Sequence, residues 1–277
     1  MSNQRTHHVT TNDGVIIGGT VHGQGSPLVL VQGAVGDGDL DWNSVVEHLA
    51  GRFTCHLPSL RGRGLSGDHS DLSPARQAHD ILTYIDSIGE PTRLVGWSGG
   101  ANRALVAAAQ SDAVAAVAPY EPGILSLADE QLQGIVGDAI TRAGELAADG
   151  RLGAAVHAFL VGPFFNDEES AVAEDAGYFE AAGRYVKNLL DLLQQDMEHG
   201  DPAADPTVLA AISTPVMVLL GSDTKHFFTV SAQHVADHVP NARIQEIPGA
   251  GHAAPLTHPK ALAEALTGFF LSAQQPA

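Results

Sequence analysis

Three short stretches, 27–32 (PLVLVQ), 92–97 (TRLVGW) and 214–220 (TPVMVLL), are apolar with almost no alternation. A strand with one face in water alternates polar and apolar residues, so continuously apolar strands need cover on both faces. Further extended stretches fall at 15–22, 53–57, 113–120 and 242–247, each closed by Gly, Pro, Asn or Asp. Helical patterns lie between them, near 42–50, 74–88, 100–110, 229–239 and 259–271. Ser73-Pro74 and His258-Pro259 read as helix starts with proline in the first turn. This alternation predicts an α/β fold with a mostly parallel, doubly wound sheet.

One region breaks the pattern. Residues 123–206 are helical in pattern, rich in Ala, Asp and Glu, and carry no strand signal. They predict a helical cap inserted into a core formed by 1–122 and 207–277. Six of the 15 aromatic residues lie there: Phe159, Phe164, Phe165, Tyr178, Phe179 and Tyr185. Most are expected to fill the cap's own core, with Phe164 and Phe165 as candidate substrate contacts. The final SAQQPA is expected to fray.

Bulk properties narrow the partners. A net charge of −18 repels nucleic acid and anionic membrane alike. The first fourteen residues hold no apolar signal core, and no apolar run reaches the ~20 residues of a membrane span. A single cysteine, Cys55, suits a reducing compartment, so a cytoplasmic location is expected. His234 and His238 stand four apart on a helical stretch but have no evident third ligand, so no metal is expected. The glycine-rich 33–38 (GAVGDG) lacks the Lys-Ser/Thr of a phosphate loop.

The chemistry centres on Ser98 in Gly96-Trp97-Ser98-Gly99-Gly100, where an apolar strand meets a helix. A sharp turn there would lift the hydroxyl above the sheet, with the small flanking residues allowing strand and helix to approach. A serine hydroxyl needs a base. His252, in the loop Pro248-Gly249-Ala250-Gly251-His252 just after the strand at 242–247, is the candidate.

With these segments in view, the sequence resembles the α/β-hydrolase family over nearly all of the chain outside the cap. The motifs are Val29-Leu30-Val31-Gln32-Gly33-Ala34 with Asp41-Trp42, Leu60-Arg61-Gly62-Arg63-Gly64-Leu65-Ser66, the elbow at Ser98, and Gly249-Ala250-Gly251-His252. The resemblance implies Ser98 as nucleophile, His252 as base, and an oxyanion hole from the Ala34 and Gly99 N–H groups, with no cofactor. It departs from the family in carrying Gln32 where histidine is usual. The acid is divided between two positions. Asp223 follows the strand that usually supplies it but stands one residue early, whereas Glu121 ends the strand at 113–120, where some branches of the family place theirs. Asp223 is the favoured expectation and Glu121 the alternative.

The reading that follows is a serine hydrolase for a small to medium ester, lactone or thioester with an apolar or aromatic acyl group, working as a monomer or homodimer. Gln32, Trp97, Phe164, Phe165, His226 and Phe227 are candidate substrate contacts. The stretch His226-Phe227-Phe228 could line the pocket mouth or anchor its loop. A carbon–carbon bond hydrolase, a cofactor-free oxygenase or perhydrolase, and a ligand-binding receptor stay open as alternatives.

Overall fold

The computed structural model describes residues 5–273. The expectation of a frayed tail bears mainly on residues 274–277, which lie outside them.

The chain alternates as the apolar runs require. It begins β1 (Arg5–Thr10), β2 (Ile16–Gly23), β3 (Ser26–Val31), α1 (Gly38–Leu49), β4 (Phe53–Pro58) and α2 (Pro74–Ile88). It continues through β5 (Thr92–Trp97), α3 (Gly99–Ala108) and β6 (Val114–Tyr120). Then come only helices: α4 (Glu130–Ala148), α5 (Leu152–Leu160), α6 (Asp167–Asp175), α7 (Tyr178–Gly183), α8 (Val186–His199) and α9 (Pro206–Ala210), with two short 3-10 turns. The core resumes with β7 (Val216–Gly221), α10 (His226–His238), β8 (Ala242–Ile247), α11 (Ala254–Thr257) and α12 (Pro259–Ser272).

Among the described residues the strands form one eight-stranded sheet, in the order β1-β2-β4-β3-β5-β6-β7-β8. From β4 to β8 all neighbours are parallel; β1 and β2 join one edge antiparallel. The continuous burial of β3 follows from its two faces. Leu28 and Leu30 join one apolar cluster with Trp42 and Val45 of α1 and Leu262 and Phe270 of α12. Val29 and Val31 point into the other, with Ile81 and Tyr84 of α2, Leu105 of α3 and Val235 of α10. Successive side chains on a strand alternate faces, so a strand covered on both sides must be apolar throughout.

Two local expectations change. The α1 helix starts four residues before the apolar pattern does, at Gly38, because the Asp37 side chain accepts the Leu40 N–H at 2.8 Å and caps the helix. The polar β1 was not expected as a strand. It is an edge strand with its side chains half in water, where apolar alternation is weakest.

Candidate active site

The turn between β5 and α3 forces Ser98 into an unusual backbone conformation, φ 55° and ψ −122°. Such a conformation is strained for a residue with a Cβ and persists only when its surroundings impose it. Here they do. A Cβ on Gly96 would collide with the Gly100 carbonyl, and one on Gly100 with the Gln32 carbonyl. Only glycine at both positions lets strand, turn and helix close on one another. The Ser98 N–H donates to the Tyr120 carbonyl at 3.0 Å, which ties the turn to the end of β6.

His252 reaches Ser98 from the loop after β8. Its Nε2 lies 3.1 Å from Ser98 Oγ, and its Nδ1 lies 2.8 Å from Glu121 Oε2. The second Glu121 oxygen accepts the Gly221 N–H at 2.8 Å. Both side chains are buried, Glu121 completely. A neutral imidazole that donates from Nδ1 to a carboxylate presents its Nε2 lone pair to the serine hydroxyl, the tautomer a general base requires. The ring is also held from outside this chain of bonds. Phe228 stacks on it at 3.9 Å between centroids and 12° between planes, and Trp97 Nε1 donates to the His252 carbonyl at 2.8 Å.

The expectation for the acid is therefore corrected: Glu121, not Asp223, faces His252. Glu121 stands immediately beyond β6, two strands in from the sheet edge, with φ 44°. Asp223 stands two residues past β7, exposed, where its carboxylate accepts the Ser222 hydroxyl at 2.9 Å. Its one-residue offset in spacing was the sequence sign of this.

Ala34 and Gly99 lie against one another. A Cβ on Gly99 would lie 3.9 Å from the Ala34 nitrogen. Among the described residues neither N–H donates to a protein acceptor, so both remain free for a ligand oxygen. A Cβ on Gly123 would come within 3.3 Å of Ser98 Oγ and 3.8 Å of the Gly99 nitrogen. The absence of a side chain there leaves the space beside the hydroxyl open.

That space is a narrow cavity of about 50 Å³ between the core loops and the helices that follow β6. Gly33, Ala34 and Val35 form one wall, Trp97, Phe164 and Phe165 also line it, and Phe159, Leu160, Tyr178 and Leu193 add further apolar cover. The other expected contacts lie elsewhere. Gln32 is buried behind the wall, where its amide donates to the Gly36 carbonyl at 2.5 Å and accepts the Leu60 N–H at 2.9 Å. It braces the loop and does not touch the cavity. His226 and Phe227 border a separate surface groove beside Ala128 and Leu132, and Phe228 takes the place beside His252. One residue of phase on α10 decides which aromatic turns inward. His234 and His238 use ring nitrogens on the Ala204 and His234 carbonyls.

Behind the wall formed by Gly33, Ala34 and Val35 lies a buried polar network that the sequence reading missed. Asp41 accepts the Gly33 N–H at 2.8 Å and the Tyr178 hydroxyl at 2.9 Å. Burial pushes its carboxyl up to about 7, although both hydrogen bonds favour the charged form. The native state thus holds a proton that the unfolded chain has released above an ordinary aspartate pKa of roughly 4. Stability from this group is full below that value and is lost as pH rises through about 7. Asp41→Asn keeps an acceptor for Gly33 and a partner for Tyr178 but cannot titrate. Its unfolding free energy relative to wild type should rise by on the order of 2 kcal/mol between pH 5 and pH 8. Parallel denaturation profiles for the two proteins across that range would refute the assignment.

A second missed residue is Glu169 on α6. It closes a capping box with Asn166 and also accepts the Ala253 N–H at 2.5 Å, one residue from His252. A helix outside the sheet thus fixes the histidine loop. The Asn-x-x-Glu spacing was legible as a helix start, but its second bond is a long-range one.

The chain belongs to the alpha/beta hydrolase family, whose model matches residues 21–265. It is 30% identical to an alpha/beta hydrolase from Sphaerobacter thermophilus, whose crystal structure superposes with a TM-score of 0.78 over 95% of this chain and 100% of that one. It is similar to the 2-hydroxy-6-oxo-6-(2'-aminophenyl)hexa-2,4-dienoic acid hydrolase of Metapseudomonas resinovorans, with 24% identity over 89% of this chain and 84% of that protein. A thermophilic esterase from Thermogutta terrifontis shares the fold at 18% identity, TM-score 0.77, covering 99% of this chain and all of that one. Among the described residues no helix is long and apolar enough to cross a membrane.

Proposed function

We propose that the protein hydrolyses small carboxylic esters through an acyl-enzyme on Ser98. The observation that carries this reading is the unbroken chain Ser98 Oγ, His252 Nε2, His252 Nδ1, Glu121 Oε2, with links of 3.1 and 2.8 Å. As Ser98 Oγ attacks the carbonyl carbon, His252 Nε2 takes its proton, and the carbonyl oxygen becomes an oxyanion facing the Ala34 and Gly99 N–H groups. Collapse breaks the bond to the alcohol, which leaves with the proton from Nε2. Water then attacks the acyl carbon, giving its proton to the same nitrogen, and Ser98 departs with that proton as the acid is released. Glu121 Oε2, 2.8 Å from His252 Nδ1, faces and balances the imidazolium. Phe228 stacks on the ring whether it is neutral or charged.

The cavity size supports a short acyl group. A volume of about 50 Å³ admits only a few atoms beside Ser98 with the helices where they stand. A panel of p-nitrophenyl esters from acetate to octanoate tests this: kcat/KM should peak at two to four acyl carbons, by about tenfold over octanoate. Phe164→Ala removes a ring from the lining and should move the peak to longer chains by a similar factor while acetate turnover falls less. An unchanged chain-length profile in that variant would show that Phe164 does not limit the acyl site. Oxygen uptake during turnover, instead of acid release, would point to the cofactor-free oxygenase alternative.

A further inference from the structure

The cavity is apolar except at one end, where α3 and α8 meet. Among its lining residues the polar side chains besides Ser98 and His252 are Asn102, Tyr178 and Asp196. The Tyr178 hydroxyl is engaged by Asp41. Asn102, one turn along α3 from Ser98 and 1% exposed, donates both ways, to the Gly123 carbonyl at 3.1 Å and to Asp201 at 2.6 Å. Those two acceptors fix which end of the amide is which. Its Oδ1 is left buried with no partner. An orphaned acceptor of this kind costs about 1–3 kcal/mol unless something donates to it.

Asp196, on α8, lines the same cavity and is linked to Asn102 through Arg103 and Asp201. Both of its oxygens are met by a single nitrogen, Arg103 Nη2, at 2.5 and 2.6 Å, while Arg103 Nη1 serves Asp201 at 3.1 Å. Two carboxylates thus share one guanidinium, and the cluster carries one surplus negative charge. Burial raises the Asp196 carboxyl above the ordinary carboxylate range, Arg103 opposes the rise, and the neighbouring Asp201 charge adds to it. The lining offers no lysine or arginine to a substrate carboxylate.

We infer that this end of the cavity is a subsite for a hydrogen-bond-donating, positively charged nitrogen, so that the preferred substrates are small amino-bearing esters and carboxylate-bearing ones are rejected. The inference rests on the ester-hydrolase reading and deepens it. An ammonium would satisfy the Asn102 Oδ1 and Asp196 acceptors together and cancel the surplus charge, whereas a carboxylate would face acceptors only. It also separates this chain from its relative in Metapseudomonas resinovorans, which by name acts on a dienoic acid.

The test uses two isosteric series on the whole protein, with rates divided by uncatalysed hydrolysis. In the acyl series, p-nitrophenyl esters of β-alanine, butyric acid and succinic acid (as its half-ester) are compared. In the alcohol series, 2-(dimethylamino)ethyl acetate is compared with 3-methylbutyl acetate. The ammonium ester should exceed its alkyl isostere by about tenfold or more in kcat/KM in one series, and the half-succinate should fall below butyrate by a similar factor. Asp196→Asn should collapse both ratios toward one. Should that variant fail to fold, inhibition of butyrate turnover by butylammonium over free butyrate in the wild type reads the same preference. Turnover of esters with no ammonium preference in either series overturns this inference and leaves the hydrolase reading intact. Absence of turnover and of acyl-enzyme with every ester overturns the hydrolase reading itself.

Discussion

Ser98→Ala should lower kcat on a p-nitrophenyl ester by a factor of roughly 10³ or more with the fold unchanged. Alanine keeps the Cβ, so the strained turn at φ 55° loses no packing, and the lost hydroxyl has no other structural bond than the one to His252. What remains are the Ala34 and Gly99 N–H groups, with His252 free to activate a water, and that background sets the floor of the measurement. Circular dichroism and the thermal midpoint should match wild type. A variant that kept most of its activity would mean that another group attacks the substrate.

Glu121→Gln should also be severe, with kcat reduced by about 10³- to 10⁴-fold, while Asp223→Asn stays within a few-fold of wild type. The glutamine amide has the shape of the carboxylate but no charge to balance the imidazolium. It also has to place either its oxygen or its NH₂ toward His252 Nδ1. If the oxygen keeps the Gly221 N–H, the NH₂ turns to the ring and drives it into the wrong tautomer. Asp223 touches neither His252 nor the cavity; its carboxylate only accepts the Ser222 hydroxyl. Both kcat values on one ester decide the matter. A severe Asp223→Asn beside a mild Glu121→Gln would require the loop after β7 to rearrange onto His252.

The contrast between these two carboxylates marks where sequence reading stops. The parallel sheet was legible because strands such as β3 are apolar on both faces, a pattern that few other environments produce. The elbow was legible because Gly96 and Gly100 are local requirements of one turn. The acid was not, because which strand end approaches a loop 131 residues away depends on the sheet order, where β6 lies between β5 and β7. The same holds for Asp41, Glu169 and Asp196, whose partners Tyr178, Ala253 and Arg103 lie 137, 84 and 93 residues away. Spacing along the chain carries no trace of such bonds. Phe228 and Phe227 were confused for another reason. Adjacent helical residues differ by about 100° in direction, and two neighbouring phenylalanines give the amphipathic pattern no phase.

The central claim is that an acyl group passes through Ser98, and trapping that intermediate tests it most directly. The protein is mixed with excess p-nitrophenyl acetate, quenched in acid within the first turnover, digested, and analysed by mass spectrometry. The account predicts one acetyl group on the peptide that contains Ser98, at near-stoichiometric occupancy in a burst of p-nitrophenol, and none in Ser98→Ala. Steady release of p-nitrophenol by the wild type with the Ser98 peptide unmodified, or acetyl on another residue that tracks turnover, would contradict it.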